Sequence, residues 1–558
     1  MGSLCTKDQA TQDLLNSKHF QFQLIQSMHS LQPYDGHYDL VKEIGIGSTC
    51  HVNQVMVKVV KDNTTLPTNI KDSSEETKQC YAVKEITMSE VHEGRLEAFR
   101  NEIQLLKSID HPRIVKIFQT FQFHASNKFS AILMELCSGG DLESRQKSYT
   151  EQEVSIIIQQ ILSAASYLHE RNIVHRDFKL ENVLFVDPEQ LDVKIIDFGV
   201  AKKYTTKTER HYERYGTLYT MSPEAIKGSY TGSSTDLWSI GVIAYILLCK
   251  KKPFHGKNAS EIRKQILNKE ITFDNDCCIS KDAKHFVLAL LRRTPEQRLT
   301  AKEALQHDFI QQYNQLSCLE RESSVLLSKI NESIQRFFHS TDLRRIVLQR
   351  IASRYPANEI LDLTHLFTNL DTTGEGVLYF SDFIAILADF SYSDAELKDI
   401  FGCIVRKIFE GVHDDSCCFF PDFFHSFNCV VFHETVQELN NTGRILYTEF
   451  LACTLEAKGP IQEYRIREVF EQIDTSSKGY ITQQDLRRIL PKTVTEQEVR
   501  NLFGPTTLME TEQPTLSWEQ FLSSVNFVDG GTQSTTPFCH GSKRRIILPT
   551  KIHERHIH

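Results

Sequence analysis

The chain has 558 residues, with 63 Lys and Arg against 72 Asp and Glu, a net charge of −9, and 40% hydrophobic residues. That length suits roughly three or four domains, and soluble globular values of this kind exclude a chain disordered throughout. The mildly acidic balance argues against a nucleic-acid partner, and the longest apolar run, 237–249, falls short of the roughly 20 residues that a bilayer span needs.

The first 37 residues read as a flexible arm. It opens MGSLCT, in which Gly2 and Thr6 satisfy an N-myristoylation pattern and Cys5 offers a second, palmitoyl anchor. An ordinary start or an expression scar has the same residues. The polar first thirty residues are not those of a signal peptide. The 14 cysteines are scattered without paired CxxC spacing, so reduced thiols and a cytoplasmic location are expected, with membrane tethering through Gly2 and Cys5 as an addition.

Residues 38–60 alternate as two strands about a glycine turn, IGIGSTCHV, with Gly45 and Gly47 free of side chains that would keep backbone N–H groups from phosphates. A polar insertion at 61–79 precedes the strand CYAVKEI with Lys84. A helix-periodic run at 95–108 carries Glu102, which is placed to fix that lysine by an ion pair. Helical periodicity dominates from about 150 to 310. Within it, HRDFKLEN supplies an acid at Asp177, a cation at Lys179 and an oxygen ligand at Asn182, and DFG supplies the Asp197 carboxylate. Asp177 is the group to accept a substrate hydroxyl proton, while Asn182 and Asp197 hold Mg²⁺ on ATP phosphates. A strand lysine or a hairpin glycine is banal alone; the ordered set is not.

With these motifs, 38–310 resembles the eukaryotic protein kinases. The resemblance implies a two-lobed α+β fold with a small β-rich N-lobe and a helical C-lobe. It implies a hinge at MELCSGGD with Met134 as gatekeeper and backbone bonds from Glu135 and Cys137 to adenine. Ile44, Val52, Ala82 and Leu184 complete the nucleotide site. It also implies that Thr217 contacts the catalytic acid, that Glu224 pairs with Arg298, and that Asp236 supports the catalytic loop. Asp141 and Glu181 match positions that meet ribose or an arginine three residues before the acceptor, which implies Ser/Thr substrates with an upstream Arg. Cys50 stands for the third glycine of the phosphate loop. Phe178 and Leu180 replace the usual Leu and Pro, leaving every charged group in place. Arg176 can pair with a phosphate on the activation segment, where Thr205, Thr206 and Thr208 are candidates, or these are solvated hydroxyls.

Residues 311–355 form a linker and an amphipathic junction. Over 327–354, six basic against two acidic residues leave +4, with Ile330, Ile334, Phe337, Phe338, Val347 and Ile351 at largely helical spacing. It suits capture by a neighbouring helical module, occupation of an acidic kinase groove, or plain packing.

From 356 to 527 the texture is helix, glycine-containing loop, helix, repeated. The loops 371–382, 438–449 and 474–485 share Gly at the sixth place, an aliphatic residue at the eighth and an acid at the twelfth. An EF-hand loop needs oxygen ligands at places 1, 3, 5, 7, 9 and 12. The first offers Asp371, Thr373, Glu375 and Asp382, the last being short for bidentate binding. The second offers Glu438, Asn440, Thr442 and Glu449. The third offers Asp474, Ser476 and Asp485 but puts Lys478 at the fifth place, where a cation opposes Ca²⁺. A fourth, 509–520, keeps only Leu516 and Phe521, and 413–423 reads as another decayed hand. Residues 528–558 read as a disordered tail.

Kinase, basic junction and four EF-hand units in that order resemble the calcium-dependent protein kinases of plants and protists over about 38–525, with an all-α calmodulin-like domain at the C-terminal end. The resemblance implies autoinhibition by the junction, relieved when calcium opens the hands and they capture it. The alternatives are a non-catalytic scaffold and a kinase whose hands are structural.

Overall fold

The computed structural model describes residues 38–46, 50–57, 80–87, 93–122, 129–145, 148–205, 210–211, 216–228, 230–274, 279–313, 319–405, 443–474, 476, 478–490, 495–503 and 514–526. They fall into two compact units, Met1–Asn314 with Pro356–Glu359, and Gln315–Tyr355 with Ile360–His558. Among the described residues no helix is long and apolar enough to cross a membrane. Gly2, Cys5, Gly47, Thr206, Thr208, Glu438, Asn440, Thr442 and the stretches 61–79, 413–423 and 528–558 lie outside the described residues.

The first unit begins with an antiparallel sheet ordered β1-β2-β3-β5-β4. Its strands are β1 (Tyr38–Ile46), β2 (Cys50–Val57), β3 (Cys80–Thr87), β4 (Ile117–Gln122) and β5 (Phe129–Met134), with helix α1 (Glu93–Lys107) between β3 and β4. Side chains alternate faces along a strand. Tyr81 and Val83 therefore join Tyr38, Val55, Ala131 and Leu133 in a small core on one face. Ala82 lies on the other, in one cluster with Ile132, Met134 and Phe99 of α1. Lys84 shares the Ala82 face by the same alternation, and pairs in register with Val52 and Ile132.

The rest of this unit is mainly helical. Helix α2 (Glu151–Glu170) starts at a reciprocal capping box between Thr150 and Glu153, which satisfies two otherwise orphaned donors. The hairpin of β6 (Val183–Phe185) and β7 (Val193–Ile195) sets Asn182 immediately before its first strand and Asp197 two residues after its second. Helix α3 (Ser234–Cys249) contains the long apolar run and is buried almost all round, as a core helix should be.

The second unit is built of helices joined by short paired loops. Helices α4 (Leu319–Phe338) and α5 (Asp342–Arg354) are followed by α6 (Leu361–Leu370), β8 (Val377–Leu378), α7 (Phe380–Ile386) and α8 (Asp394–Val405). Then come β9 (Ile445–Leu446), α9 (Tyr447–Thr454), α10 (Glu463–Ile473), β10 (Tyr480–Thr482), α11 (Gln483–Ile489), β11 (Thr515–Ser517) and α12 (Trp518–Asn526). The loops pair two by two through their eighth places, Leu378 opposite Ile445 and Ile481 opposite Leu516. The first and second loops are thus ladder partners across the long stretch that separates them. The junction helices are part of this unit. Ile330, Ile334, Phe337, Val347 and Ile351 are buried in one core with Phe367, Phe450, Phe470 and Phe521, and Phe338 is only partly buried. Ser333 donates to the Cys453 carbonyl at 2.9 Å, and the Arg344 and Glu456 side chains meet at 2.7 Å, each 7% exposed.

Candidate active site

The catalytic loop is held from beneath by one buried carboxylate. Asp236, at the start of α3, accepts the backbone N–H groups of His175 (3.0 Å) and Arg176 (2.9 Å) and lies 2.9 Å from His169 Nε2. These bonds offset the left-handed backbone of Arg176, φ 67°, which a non-glycine residue adopts only under constraint. The His175 ring packs 4.5 Å from the Phe178 ring and 4.8 Å from Phe198. Phe178 is fully buried, so the larger residue in the loop serves packing and leaves the polar groups undisturbed.

Asp177 sits above this support, with each oxygen assigned. Oδ1 accepts from the Thr217 N–H at 2.9 Å and the Thr217 hydroxyl at 3.0 Å. Oδ2 accepts from Lys179 Nζ at 2.7 Å and from Asn182 Nδ2 at 3.2 Å. Asn182 Nδ2 also donates to the Asp177 carbonyl at 3.0 Å. Both amide hydrogens are therefore committed, and the Asn182 carbonyl oxygen is the face available to a cation. Gly216 makes the approach to Thr217 possible. Its φ is +99°, and a Cβ there would lie 2.7 Å from the Arg176 carbonyl oxygen.

Lys84 is clamped by both oxygens of Glu102, at 2.7 and 2.9 Å, and its Nζ lies 3.6 Å from Asp197 Oδ1. Burial alone would raise the Asp197 carboxyl. The Lys84 charge, the neighbouring His175, the Gly199 N–H and Lys179 outweigh it and hold the group below its ordinary value. It is therefore ionised at neutral pH, as a Mg²⁺ ligand must be. Asn182 and Asp197 together fit that ion: an amide oxygen and a carboxylate, both hard donors.

The remaining nucleotide-site residues surround this set. Ile44 is 41% exposed at the end of β1, Val52 and Leu184 are half-buried, and Ala82 and Met134 are buried. The Glu135 side chain is turned into the protein, 2.9 Å from buried Lys194 Nζ, so only its backbone is available to a ligand. Burial pushes the Cys137 thiol up to about 12, which keeps it neutral. Asp141 accepts the Ser144 N–H at 2.7 Å, and exposed Glu181 accepts the Tyr219 hydroxyl at 2.6 Å. Buried Arg298 meets Glu224 at 2.8 Å, joining two chain segments far apart in sequence. Tyr219 and the Glu135–Lys194 pair were not among the residues read from the sequence, since no motif marks a tyrosine two places after Thr217. Thr205 is exposed.

In the second unit, Asp371 accepts the N–H groups of Glu375 (3.2 Å) and Gly376 (2.7 Å), and burial pushes its carboxyl up to about 6. Thr373 donates to it at 3.1 Å, while Glu375 accepts the Tyr379 hydroxyl at 2.6 Å. Asp382 and Glu449, at the twelfth places, accept the Tyr379 N–H (2.9 Å) and the Leu446 N–H (2.8 Å) as helix caps. Asp474 accepts the N–H groups of Lys478 and Gly479, Asp485 caps Thr482, and Ser476 is exposed.

A β-sheet lobe with a clamped lysine, above a helical lobe bearing an oriented aspartate and a paired metal-ligand set, defines a protein kinase. Residues 68–310 match the protein kinase domain family, with β1 and β2 lying ahead of the matched stretch. The chain is 30% identical over 431 residues to calcium-dependent protein kinase 5 of Plasmodium falciparum (isolate 3D7), which covers 75% of this chain and 68% of that protein. It is 28% identical over 430 residues to the Plasmodium berghei (strain Anka) protein of the same name, covering 75% and 69%. It is 30% identical over 424 residues to calcium-dependent protein kinase 4 of P. falciparum, covering 73% and 74%. The chain belongs to the calcium-dependent protein kinase family.

Proposed function

We propose that this enzyme transfers the ATP γ-phosphate to serine and threonine hydroxyls of proteins, under control of a calmodulin-like EF-hand domain that holds the junction. The observation that carries the transfer is the arrangement at Asp177. Thr217 fixes one oxygen and leaves the carboxylate edge beside Lys179 to receive the acceptor hydroxyl and take its proton. Lys179 places a positive charge where the transferred phosphoryl develops negative charge. Lys84, held by Glu102, positions the α- and β-phosphates, and Gly45, near the end of β1, lets the backbone approach them. Mg²⁺, when bound by Asn182 and Asp197, neutralises the phosphate oxygens. The acidic pair Asp141 and Glu181 supports a preference for an upstream arginine, with the Tyr219 hydroxyl exchanged for the guanidinium at Glu181.

Calcium control is supported by the paired loops and by the buried apolar face of α4 and α5. The apolar residues held in that core are those by which calcium-loaded hands would capture the junction. Asp371, Thr373, Glu375 and Asp382, with Glu438, Asn440, Thr442 and Glu449, are the proposed calcium ligands. The domain limits proposed are 38–310 for the kinase, 311–355 for the junction and 356–527 for the EF-hand domain. Acylation at Gly2 and Cys5 would place a cytoplasmic enzyme at membranes. A second reading, a kinase whose hands work without calcium, is favoured by Lys478 in the third loop and the short Asp382 in the first.

Transfer of phosphate from Mg-ATP to an Arg-x-x-Ser peptide tests the first claim. Asp177→Asn should lower kcat by roughly a thousandfold or more, since the proton acceptor is lost. Unchanged transfer in that variant would remove Asp177 from the chemistry.

A further inference from the structure

The loops at 371–382 and 474–485 begin alike and close differently. In each, the leading aspartate accepts two successive N–H groups, at 3.2 and 2.7 Å for Asp371 and at 3.1 and 2.7 Å for Asp474. At the fifth place the first loop has a carboxylate, Glu375. The third has Lys478, whose Nζ lies 3.3 Å from Oδ2 of Asp485 at the twelfth place. Asp485 is 2% exposed, and its Oδ1 lies 3.5 Å from Arg488 Nη1. The same lysine nitrogen is 5.4 Å from the Tyr480 ring centre. Oδ2 of Asp485 also accepts the Thr482 N–H at 2.9 Å and the Thr482 hydroxyl at 2.6 Å, so the last-place carboxylate caps its helix as Asp382 does and in addition meets an ammonium group carried by the loop itself.

We propose that Lys478 is a built-in substitute for the metal ion, holding the 474–485 loop closed and excluding divalent cations. The proposal rests on the EF-hand reading of this unit. A divalent ion requires six to eight oxygen ligands. At this loop it would have to displace a like charge already neutralised by the ligand it needs. An ammonium tethered to the chain cannot be removed by a chelator. The ladder of Ile481 with Leu516, and the half of the unit built on it, then keeps its form at every calcium concentration, and any calcium response arises in the half built on Leu378 and Ile445.

Terbium luminescence in the full chain tests this, because Tyr480, at the seventh place, can sensitise an ion bound in this loop. The Tyr480-dependent signal is the difference from a Tyr480→Phe chain, and the Asp371-dependent signal reports the first loop. Wild type should give no Tyr480-dependent signal, and Lys478→Asp should create one that saturates with added terbium. In chelator, Lys478→Met should lower the melting temperature of the second unit by at least about 2 °C. A Tyr480-dependent signal in wild type would overturn the proposal, as would an unchanged melting temperature in Lys478→Met. Failure of Lys478→Asp to gain a signal while the Asp371-dependent signal persists would show that the lysine is not what excludes the ion. Absence of both the Tyr480-dependent and the Asp371-dependent signals in Lys478→Asp would overturn the EF-hand reading and the proposal with it.

Discussion

Replacing Arg344 by Met tests how the junction is held. The Arg344 and Glu456 side chains meet at 2.7 Å with 7% exposure each, and Arg344 also donates to the Val525 carbonyl. Removing the cation leaves a buried carboxylate without its partner, which costs about 3–5 kcal/mol. For a unit of this size, each kcal/mol lowers the melting temperature by about 2–4 °C, so a fall of about 6–20 °C is expected. The pair is imperfectly satisfied, since Arg344 Nε and Glu456 Oε2 have no hydrogen-bond partner. Arg344→Met combined with Glu456→Leu should therefore recover most of the loss, less the donor to Val525. Thermal unfolding monitored by Trp518 fluorescence in α12 reads both variants. A loss below about 1 kcal/mol in Arg344→Met would refute the view that this pair anchors α5.

Three further outcomes follow from the first unit. Thr217→Val keeps the backbone bond to Asp177 but removes the hydroxyl bond, so kcat should fall about 10- to 100-fold with little change in KM for ATP, measured by steady-state kinetics. Gly216→Ala forces a Cβ against the Arg176 carbonyl at a left-handed φ and should abolish transfer while Mg-ATP still binds, as read by nucleotide titration. Burial pushes the Glu85 carboxyl up to about 7 from an ordinary value near 4.5. The folded state thus binds the extra proton between those values, and stability falls by up to about 3 kcal/mol as pH rises through them. Glu85→Gln should flatten that slope in urea melts and be the more stable protein at pH 8.

The catalytic constellation was legible because its chemistry is carried by residue types at short, ordered spacings: Asp177, Lys179 and Asn182 within one loop, and Asp197 beside its glycine. Lys84 and Glu102 could be paired from sequence because the strand and helix that carry them are adjacent. What the residues could not reveal was the destination of long-range partners. The basic junction suited an acidic groove and an apolar core equally, and the burial of Ile330, Phe337 and Val347 in the second unit is visible only in three dimensions. Loop 438–449 was recognisable, but its ladder with 371–382 joins strands separated by more than sixty residues, beyond the reach of local patterning. Lys478 read as an obstacle to an ion; its contact with Asp485 depends on the closure of the loop. Tyr219 carried no signal, since a hydroxyl aimed at Glu181 is a matter of side-chain direction.

The most direct test of calcium control is the rate of phosphate transfer from Mg-ATP to an Arg-x-x-Ser peptide in free calcium and again in chelator, with Asp371→Ala alongside. The account predicts a loss of at least about tenfold on chelation, and a chain with Asp371→Ala that stays slow when calcium is restored. Equal rates with and without calcium, in wild type and variant alike, would contradict it and leave the second unit a structural partner of an unregulated kinase.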